Sequence, residues 1–182
     1  HPTVILDGDD FFGRSWPDDT RTNGGSPDMD GFPQRGELEL IDTYMTAIEA
    51  LDGFGTNSPI YVPLEYRPQS LPKTSTTTTT DGPLWLLDID PQSPERGTLV
   101  PIHLEYQDDE TLWQRADLMS VQPVWGFPLR PRTTYALVLT TDFVAPVEDW
   151  RKSDNWNALD AVLLELRVDI DRVAYALQFT TQ

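Results

Sequence analysis

The sequence predicts an antiparallel β-sandwich with two peripheral helices and a long N-terminal arm. Segments with strand character outnumber those with helical character, and the two helical segments lie outside the main run of strands. Sixteen prolines among 182 residues exceed the usual share of about 5%. Because proline is confined to turns and strand edges, this composition favours a loop-rich β protein over a helical bundle.

The clearest β signal is the segment 121–143, VQPVWGFPLRPRTTYALVLTTDF. Residues 121–125 alternate in polarity, and residues 133–141 are rich in β-branched and aromatic side chains. A Gly-Phe-Pro break and the turn residues 129–132 lie between them. We therefore expect a strand, a tight corner and a second strand, which together form a hairpin within residues 118–141.

Four further segments have the character of strands. They alternate in polarity or form short apolar runs, and turn residues bound them. They are residues 58–66, 83–89, 99–106 and 173–181. Residues 73–81 (KTSTTTTTD) are of low complexity, and we expect an exposed, mobile loop there.

Two segments place apolar residues at helical spacing. The stripe of the first, residues 37–51, consists of Leu38, Ile41, Met45, Ile48 and Leu51. The stripe of the second, residues 157–166, consists of Leu159, Val162, Leu163 and Leu166. Ser153, Asp154 or Asn157 is the expected cap of the second helix.

Residues 1–35 form the predicted arm, because they are rich in Asp, Gly and Pro and hold too few apolar residues to fold alone. Four aromatic residues are the expected anchors of this arm on the rest of the protein: Phe11, Phe12, Trp16 and Phe32. We therefore divide the chain into an extended arm, residues 1–35, and a sandwich domain with helical insertions, residues 36–182.

Charge and cysteine content exclude several classes of function. Thirty acidic residues against thirteen basic ones give a net charge of −17, which repels nucleic acid and anionic membranes. The chain has no cysteine, so disulfides, thiolate metal sites and cysteine catalysis are excluded. No apolar run approaches the ~20 residues of a membrane helix, and we expect no membrane insertion.

Calcium is the cofactor that the sequence favours most. Asp7, Asp9 and Asp10 lie in a DGDD segment and are the candidate ligands; Asp18-Asp19 follows, and Asp28-Met29-Asp30-Gly31 ends the arm. Carboxylates on a glycine-containing loop are the oxygen ligands that Ca²⁺ prefers. Their spacing does not match an EF-hand loop. The alternative is a solvated acidic loop with local side-chain turns.

The sequence contains no recognisable catalytic set, and we expect this chain not to be an enzyme. A serine hydrolase of the elbow type needs G-x-S-x-G and a downstream histidine, and no such elbow occurs. The two histidines are His1 and His103, and His103 lies in a strand pattern on a sheet surface. A copper site built from both histidines and the N-terminal amine is an open alternative.

Tryptophan supplies a second alternative of a different class. Five of the six tryptophans follow the arm: Trp85, Trp113, Trp125, Trp150 and Trp156. Large aromatic residues dominate sandwich cores, so most of them are expected inside. Two or three that lay exposed on one face would instead indicate a carbohydrate-binding module.

Several short motifs carry a resemblance to a known family. Residues 129–135, LRPRTTY, resemble the L-x-P-x-T-x-Y corner of bacterial Ig-like domains of the surface-layer type. Residues 179–182, FTTQ, resemble the F-T-T end of the last strand in that family. Residues 51–59 and 16–19 resemble the N-terminal region of large secreted bacterial proteins related to the N-terminal domain of the virulence-factor lipase family.

The resemblance covers residues 16–182 and implies an Ig-like sandwich in an extracellular or cell-surface protein. It implies a non-catalytic structural or interaction module, which spaces or docks a neighbouring domain or assembles with copies of itself. In such proteins a hydrolase domain often follows the F-T-T strand. On that interpretation the chain is the N-terminal fragment of a secreted lipase or esterase, with its catalytic domain beyond Gln182.

Overall fold

A computed structural model describes residues 1–152 and 155–182. Its strands are β1 Thr22–Asn23, β2 Ser26–Pro27, β3 Ile60–Pro63, β4 Leu84–Asp88, β5 Leu99–Val100, β6 Ile102–Gln107, β7 Leu118–Pro123, β8 Thr134–Thr140 and β9 Val173–Thr180. Its α-helices are α1 Glu39–Glu49 and α2 Asn157–Glu165. The predicted prevalence of strands and the two helices are thus confirmed.

The strands form two main antiparallel sheets and one small hairpin. The three-stranded sheet has the order β3-β7-β6, and the four-stranded sheet has the order β5-β4-β8-β9. Buried apolar side chains of both sheets belong to one hydrophobic cluster. This arrangement is consistent with a β-sandwich, in which two sheets share a core.

The two sheets differ in how much of each is covered. Every residue of β4 is buried, as is every residue but one in β8 and in β9. Because successive side chains point to opposite faces, both faces of the four-stranded sheet are covered. In β6, by contrast, Ile102 and Leu104 are buried whereas His103 and Glu105 are exposed, which confirms that His103 lies on a sheet surface.

The predicted hairpin of residues 118–141 is wrong. β7 pairs with β3 and β6, whereas β8 pairs with β4 and β9, so the two strands lie in different sheets. The segment that connects β7 to β8 contacts the segment before β3 at Leu129, whose N–H donates to the carbonyl of Thr56 at 2.9 Å. A connection of this length does not impose the pairing that a two-residue hairpin turn imposes.

The predicted single strand 99–106 is divided at Pro101. β5 belongs to the four-stranded sheet, and β6 belongs to the three-stranded sheet. Proline has no N–H to donate to a ladder, and bends at such positions let a chain pass from one sheet to the other. The Pro101 carbonyl accepts a hydrogen bond from the N–H of Val124 at 2.9 Å.

The threonine-rich loop is not wholly exposed. Thr77 is fully buried, and its Oγ1 donates to the carbonyl of Thr74 at 2.8 Å. The same oxygen accepts the N–H of Ile102 at 3.3 Å. The prediction of an exposed, mobile segment is therefore wrong at Thr77, which anchors the loop to the start of β6.

The helices lie where the apolar periodicity predicts them, but α1 packs loosely. Of its residues only Met45 is buried, whereas Leu40 and Tyr44 are 65% and 58% exposed. Leu38, a member of the predicted stripe, is also exposed. In α2 three stripe residues are buried: Leu159, Val162 and Leu163.

The predicted cap of α2 is not found among the described residues. Two of the candidates, Ser153 and Asp154, lie outside them. Asn157, the third, is the first helical residue, and its N–H donates to Oδ1 of Asn155 at 3.1 Å.

The N-terminal arm packs on the body through its aromatic residues. Phe11, Phe12 and Trp16 are buried, and Phe32 packs against the same cluster. The ring centroids of Phe11 and Trp16 are 4.9 Å apart, and those of Phe12 and Tyr61 are also 4.9 Å apart. The arm also contains the β1–β2 hairpin, whose turn consists of Gly24 and Gly25, both with positive φ.

Candidate functional site

A hydrogen-bonded corner ties the start of β8 to the end of β9. The hydroxyl of Tyr135 accepts the N–H of Arg130 at 2.9 Å. Thr181 Oγ1 donates to the carbonyl of Arg130 at 2.5 Å and accepts the N–H of Thr133 at 3.0 Å. The two segments that carry the resemblance, 129–135 and 179–182, are therefore joined by direct contacts.

Burial keeps the corner tyrosine in its protonated form. Tyr135 is 2% exposed, and burial raises the pKa of its hydroxyl above the ordinary value. Its ring stacks on Phe179, with centroids 6.1 Å apart. Packing and hydrogen bonding thus hold the same side chain in place.

Two aromatic side chains project into solvent from the connection between β7 and β8. Trp125 is 92% exposed and Phe127 is 55% exposed. Phe127 precedes Arg130 of the corner by three residues, which limits their Cα separation to about 11 Å. An exposed aromatic pair therefore lies close to the corner that holds Gln182, whose carbonyl accepts the N–H of Arg132 at 3.1 Å.

Most tryptophans are in the core, as their pattern predicts. Trp16, Trp85, Trp150 and Trp156 are at most 9% exposed, whereas Trp113 is 42% exposed. Trp113 precedes β7 and Trp125 follows it, and a strand of this length spans about 20 Å. The two exposed tryptophans therefore belong to different connections of the chain, one before and one after β7.

The aspartates suggested as calcium ligands lie on the exposed part of the arm. Asp7, Asp9 and Asp10 are all exposed, and an oxygen of Asp10 lies 3.6 Å from the Arg115 guanidinium. Among the described residues, these three do not form a group with their oxygens close together. The calcium site remains a prediction.

A different set of carboxylates does converge. Oxygens of Asp28, Asp30 and Glu49 lie within 4.8 Å of one another. Arg35 already pairs with Glu49 through two hydrogen bonds of 2.5 and 2.9 Å, and this contact lowers the pKa of Glu49. The sequence indicates two members of this group, since Asp28 and Asp30 belong to the acidic stretches of the arm. It does not indicate Glu49, which lies on α1, far along the chain.

The two histidines have few contacts within residues 1–152 and 155–182. Nε2 of His103 lies 3.5 Å from Oε1 of Glu105 on the exposed face of β6. The carbonyl of His1 accepts the hydroxyl of Tyr66 at 2.7 Å. Neither histidine side chain contacts a serine hydroxyl in this described part of the chain.

A cavity of about 200 Å³, which we call the β9-edge cavity, lies between the arm and β9. Its lining includes Arg14, Ser15, Arg21, Trp150, Trp156 and Ala176, and two carboxylates, Asp18 and Asp149, line it as well. Tyr175 also lines it, and its buried hydroxyl bonds to Oγ of Ser15 at 2.8 Å. Burial raises the pKa of Tyr175 well above its ordinary range, so this hydroxyl is neutral at physiological pH.

Two arginines give the β9-edge cavity its chemistry. The Arg21 guanidinium lies 4.3 Å from the centroid of the Phe11 ring and 4.8 Å from that of Trp16. Its Nη1 donates to the carbonyls of Arg14 and Ser15, both at 3.3 Å. Burial, and next the charge of Arg14, lower the pKa of Arg21 to about 10, so the Arg21 side chain remains cationic at neutral pH.

No protein-family model matches this chain, and comparison with curated proteins and with solved structures finds no match. Among the described residues, no helix has the length and apolar character needed to cross a membrane. The corner, the exposed aromatic pair and the β9-edge cavity are the features of the structure that bear on function.

Proposed function

We propose that this chain is a non-catalytic, Ig-like module of a secreted or cell-surface bacterial protein. The observation that carries the proposal is the hydrogen bond from the Arg130 N–H to the Tyr135 hydroxyl. In Ig sandwiches, a tyrosine near the start of the sixth strand bonds to the backbone a few residues upstream. Counted from β3, β8 is the sixth strand, and Tyr135 is its second residue.

The pairing of strands departs from the constant-type Ig arrangement. There the second strand shares a sheet with the first and fifth strands, whereas β4 shares a sheet with β8 and β9. Support for an Ig-like class therefore comes from the tyrosine corner and the division into three and four strands, and not from strand order.

We further propose that the module docks a neighbouring domain or copies of itself through Trp125 and Phe127. Exposed aromatic side chains are enriched in the cores of protein interfaces, and Trp125 is 92% exposed. A domain joined after Gln182 would begin beside this pair, because Gln182 is bonded to Arg132 of the corner. The acidic surface suits a soluble partner and not nucleic acid.

Two measurements test this proposal. The chain should hydrolyse no ester, peptide or glycoside substrate, and measurable turnover would contradict a non-catalytic role.

The chain should also bind the polypeptide encoded after Gln182, or self-associate in sedimentation velocity experiments. Trp125→Ser should weaken that association, whereas Leu164→Ser, at an 80% exposed position of α2, should not. If the chain binds neither partner, or if both substitutions weaken association equally, docking through Trp125 and Phe127 is contradicted.

Carbohydrate binding is the second candidate, and the exposure of Trp125 favours it. An exposed indole offers an apolar face against which a sugar ring can pack. Binding of a polysaccharide should then quench tryptophan fluorescence in the native protein and in Trp113→Phe, but not in Trp125→Phe. A flat response across a panel of polysaccharides would remove this candidate.

A further inference from the structure

We propose that the β9-edge cavity binds the C-terminal end of an extended peptide, whose carboxylate pairs with Arg14 and Arg21. The proposal concerns a site apart from Trp125 and the tyrosine corner, so it does not depend on the Ig-like assignment. Three features of the cavity support it among the described residues: strand-edge backbone groups without a hydrogen-bond partner, two arginines with no carboxylate within 4.0 Å, and a buried indole N–H without an acceptor.

The first feature is a gap in the hydrogen bonding along the outer edge of β9. Thr180 directs its backbone outward, since its N–H donates to Oδ1 of Asp19 at 2.8 Å and its carbonyl accepts the N–H of Phe54 at 2.9 Å. The Ala174 carbonyl accepts the N–H of Val147 at 3.0 Å. In a regular strand, every second residue faces the same way, so Ala176 and Gln178 also face outward.

Ala176 and Gln178 have no bonding partner on this outer side among the described residues. Both are buried, at 2% and 8% exposure, so their N–H and carbonyl groups are largely shielded from bulk water. Buried backbone groups are nearly always hydrogen-bonded. Tyr175 and Ala176 both line the cavity, and because their side chains point to opposite faces, the cavity opens on the strand edge itself.

The second feature is the pair of arginines. Neither Arg14 nor Arg21 lies within 4.0 Å of a carboxylate of the described residues. Asp18 and Asp149 line the same cavity but lie beyond this distance from both guanidinium groups. Eight of the thirteen basic residues do form such a pair with a described carboxylate. Guanidinium groups bind carboxylates with paired, charge-assisted hydrogen bonds, so an anion is the complementary ligand group.

The third feature is Trp156, which lines the cavity and is 6% exposed. Its Nε1 is buried and has no hydrogen-bond partner among the described residues. A buried indole N–H usually has an acceptor. A ligand oxygen in the cavity would provide one.

These features together indicate a peptide end in preference to an isolated anion. An amide group of an added strand would pair with the N–H and carbonyl of Ala176, as in other cases of strand addition to a sheet edge. The carboxylate that ends the strand would meet the arginines. The volume of about 200 Å³ suits the end of a chain, and the buried walls of Trp150 and Trp156 suit small apolar side chains.

Backbone and indole NMR resonances provide the direct test. The probe is acetyl-Ala-Ala-Ala with a free carboxylate, and its C-terminal carboxamide is the matched comparison. The acid should shift the amide resonances of Ala176 and Gln178 and the indole N–H of Trp156. The carboxamide should bind about tenfold more weakly, because it lacks the charge-assisted contact.

Variants separate recognition of the carboxylate from effects on folding. Arg14→Gln should lose about tenfold in affinity for the acid peptide and should keep the native spectrum, because Arg14 is exposed. Lys73→Gln removes a distant exposed cation and should bind as the native protein does. Equal binding of the acid and the carboxamide would overturn the proposal, as would resonance shifts at residues away from this edge. Shifts at this edge with glucuronate but not with the peptide would also overturn it.

Discussion

At the scale of single residues, the hydroxyl of Tyr135 makes a contact that can be removed alone. In Tyr135→Phe the ring still packs on Phe179, but the N–H of Arg130 loses its acceptor. Leaving such a donor without a partner costs about 1–3 kcal/mol. Urea unfolding should detect this loss, and Tyr44→Phe, at a position 58% exposed on α1, should match the native protein. Equal stability of the two variants would contradict the structural role of the corner.

Tyr175 gives a prediction about pH. Burial raises its pKa in the folded state above the ordinary value, so the folded protein retains this proton more strongly than the unfolded chain does. The resulting stability is fully present below about pH 10 and is lost as the pH rises further. Between about pH 9 and pH 11, the unfolding free energy should fall less steeply in Tyr175→Phe than in the native protein. The same pH dependence of the unfolding free energy in both proteins would contradict a raised pKa of Tyr175.

The chemistry of single residues was only partly predictable from the sequence. That Phe11, Phe12 and Trp16 are buried follows from their apolar character, and the structure agrees. The β9-edge cavity was not predictable, because it joins Arg14 to Ala176, residues that no local pattern relates. An unpaired arginine becomes visible only when the positions of all carboxylates are known.

At the scale of elements, local patterns predict strands better than they predict strand partners. The segments of β3, β4 and β9 all lie within predicted strands, because alternation and β-branched content are local properties. Pairing depends on contacts distant in sequence. For this reason the β7–β8 hairpin was predicted wrongly, and the passage between sheets at Pro101 was missed, although proline itself is a warning of such a break.

The connection from α1 to β3 gives a prediction about close packing. A Cβ added at Gly53 would lie 2.7 Å from the backbone N of Gln182, whereas one added at Gly55 would meet mainly the side chain of Ser58. Because backbone atoms cannot move aside as a rotating hydroxyl can, Gly53→Ala should lower the free energy of unfolding by about 1–3 kcal/mol. Gly55→Ala should cost much less.

Urea unfolding of both glycine variants checks this expectation. Hydrogen exchange adds a local readout, because the N–H of Gln182 donates to the carbonyl of Phe54 at 2.9 Å. This amide should exchange faster in Gly53→Ala than in Gly55→Ala. Equal costs would mean that the C-terminal residues move away from Gly53 without loss.

At the scale of the whole molecule, the charge of −17 raises the question of how carboxylates on the arm are accommodated. Like charges at this density repel unless water or cations separate them. Arg35 offsets the charge of Asp30, whose Oδ1 lies 3.6 Å from the guanidinium, and it also forms two hydrogen bonds with Glu49 of α1. Asp7 and Asp9 are exposed and have no ion pair among the described residues, so bound calcium would relieve repulsion there.

We therefore predict that calcium stabilises the folded protein through the arm. A ligand that binds only the folded form raises stability by about 2.7 kcal/mol at a hundredfold excess over its dissociation constant. The melting temperature in calcium should be higher than that in chelator, and the backbone amides of residues 1–35 should exchange more slowly with solvent when calcium is present. The triple substitution Asp7→Asn, Asp9→Asn and Asp10→Asn should abolish the difference, whereas Asp28→Asn with Asp30→Asn should preserve it. If instead the Asp28 and Asp30 substitutions abolish the difference, the ion lies beside Glu49, where it must compete with Arg35. Identical melting curves in calcium and in chelator would mean that the arm is a solvated acidic loop without bound calcium.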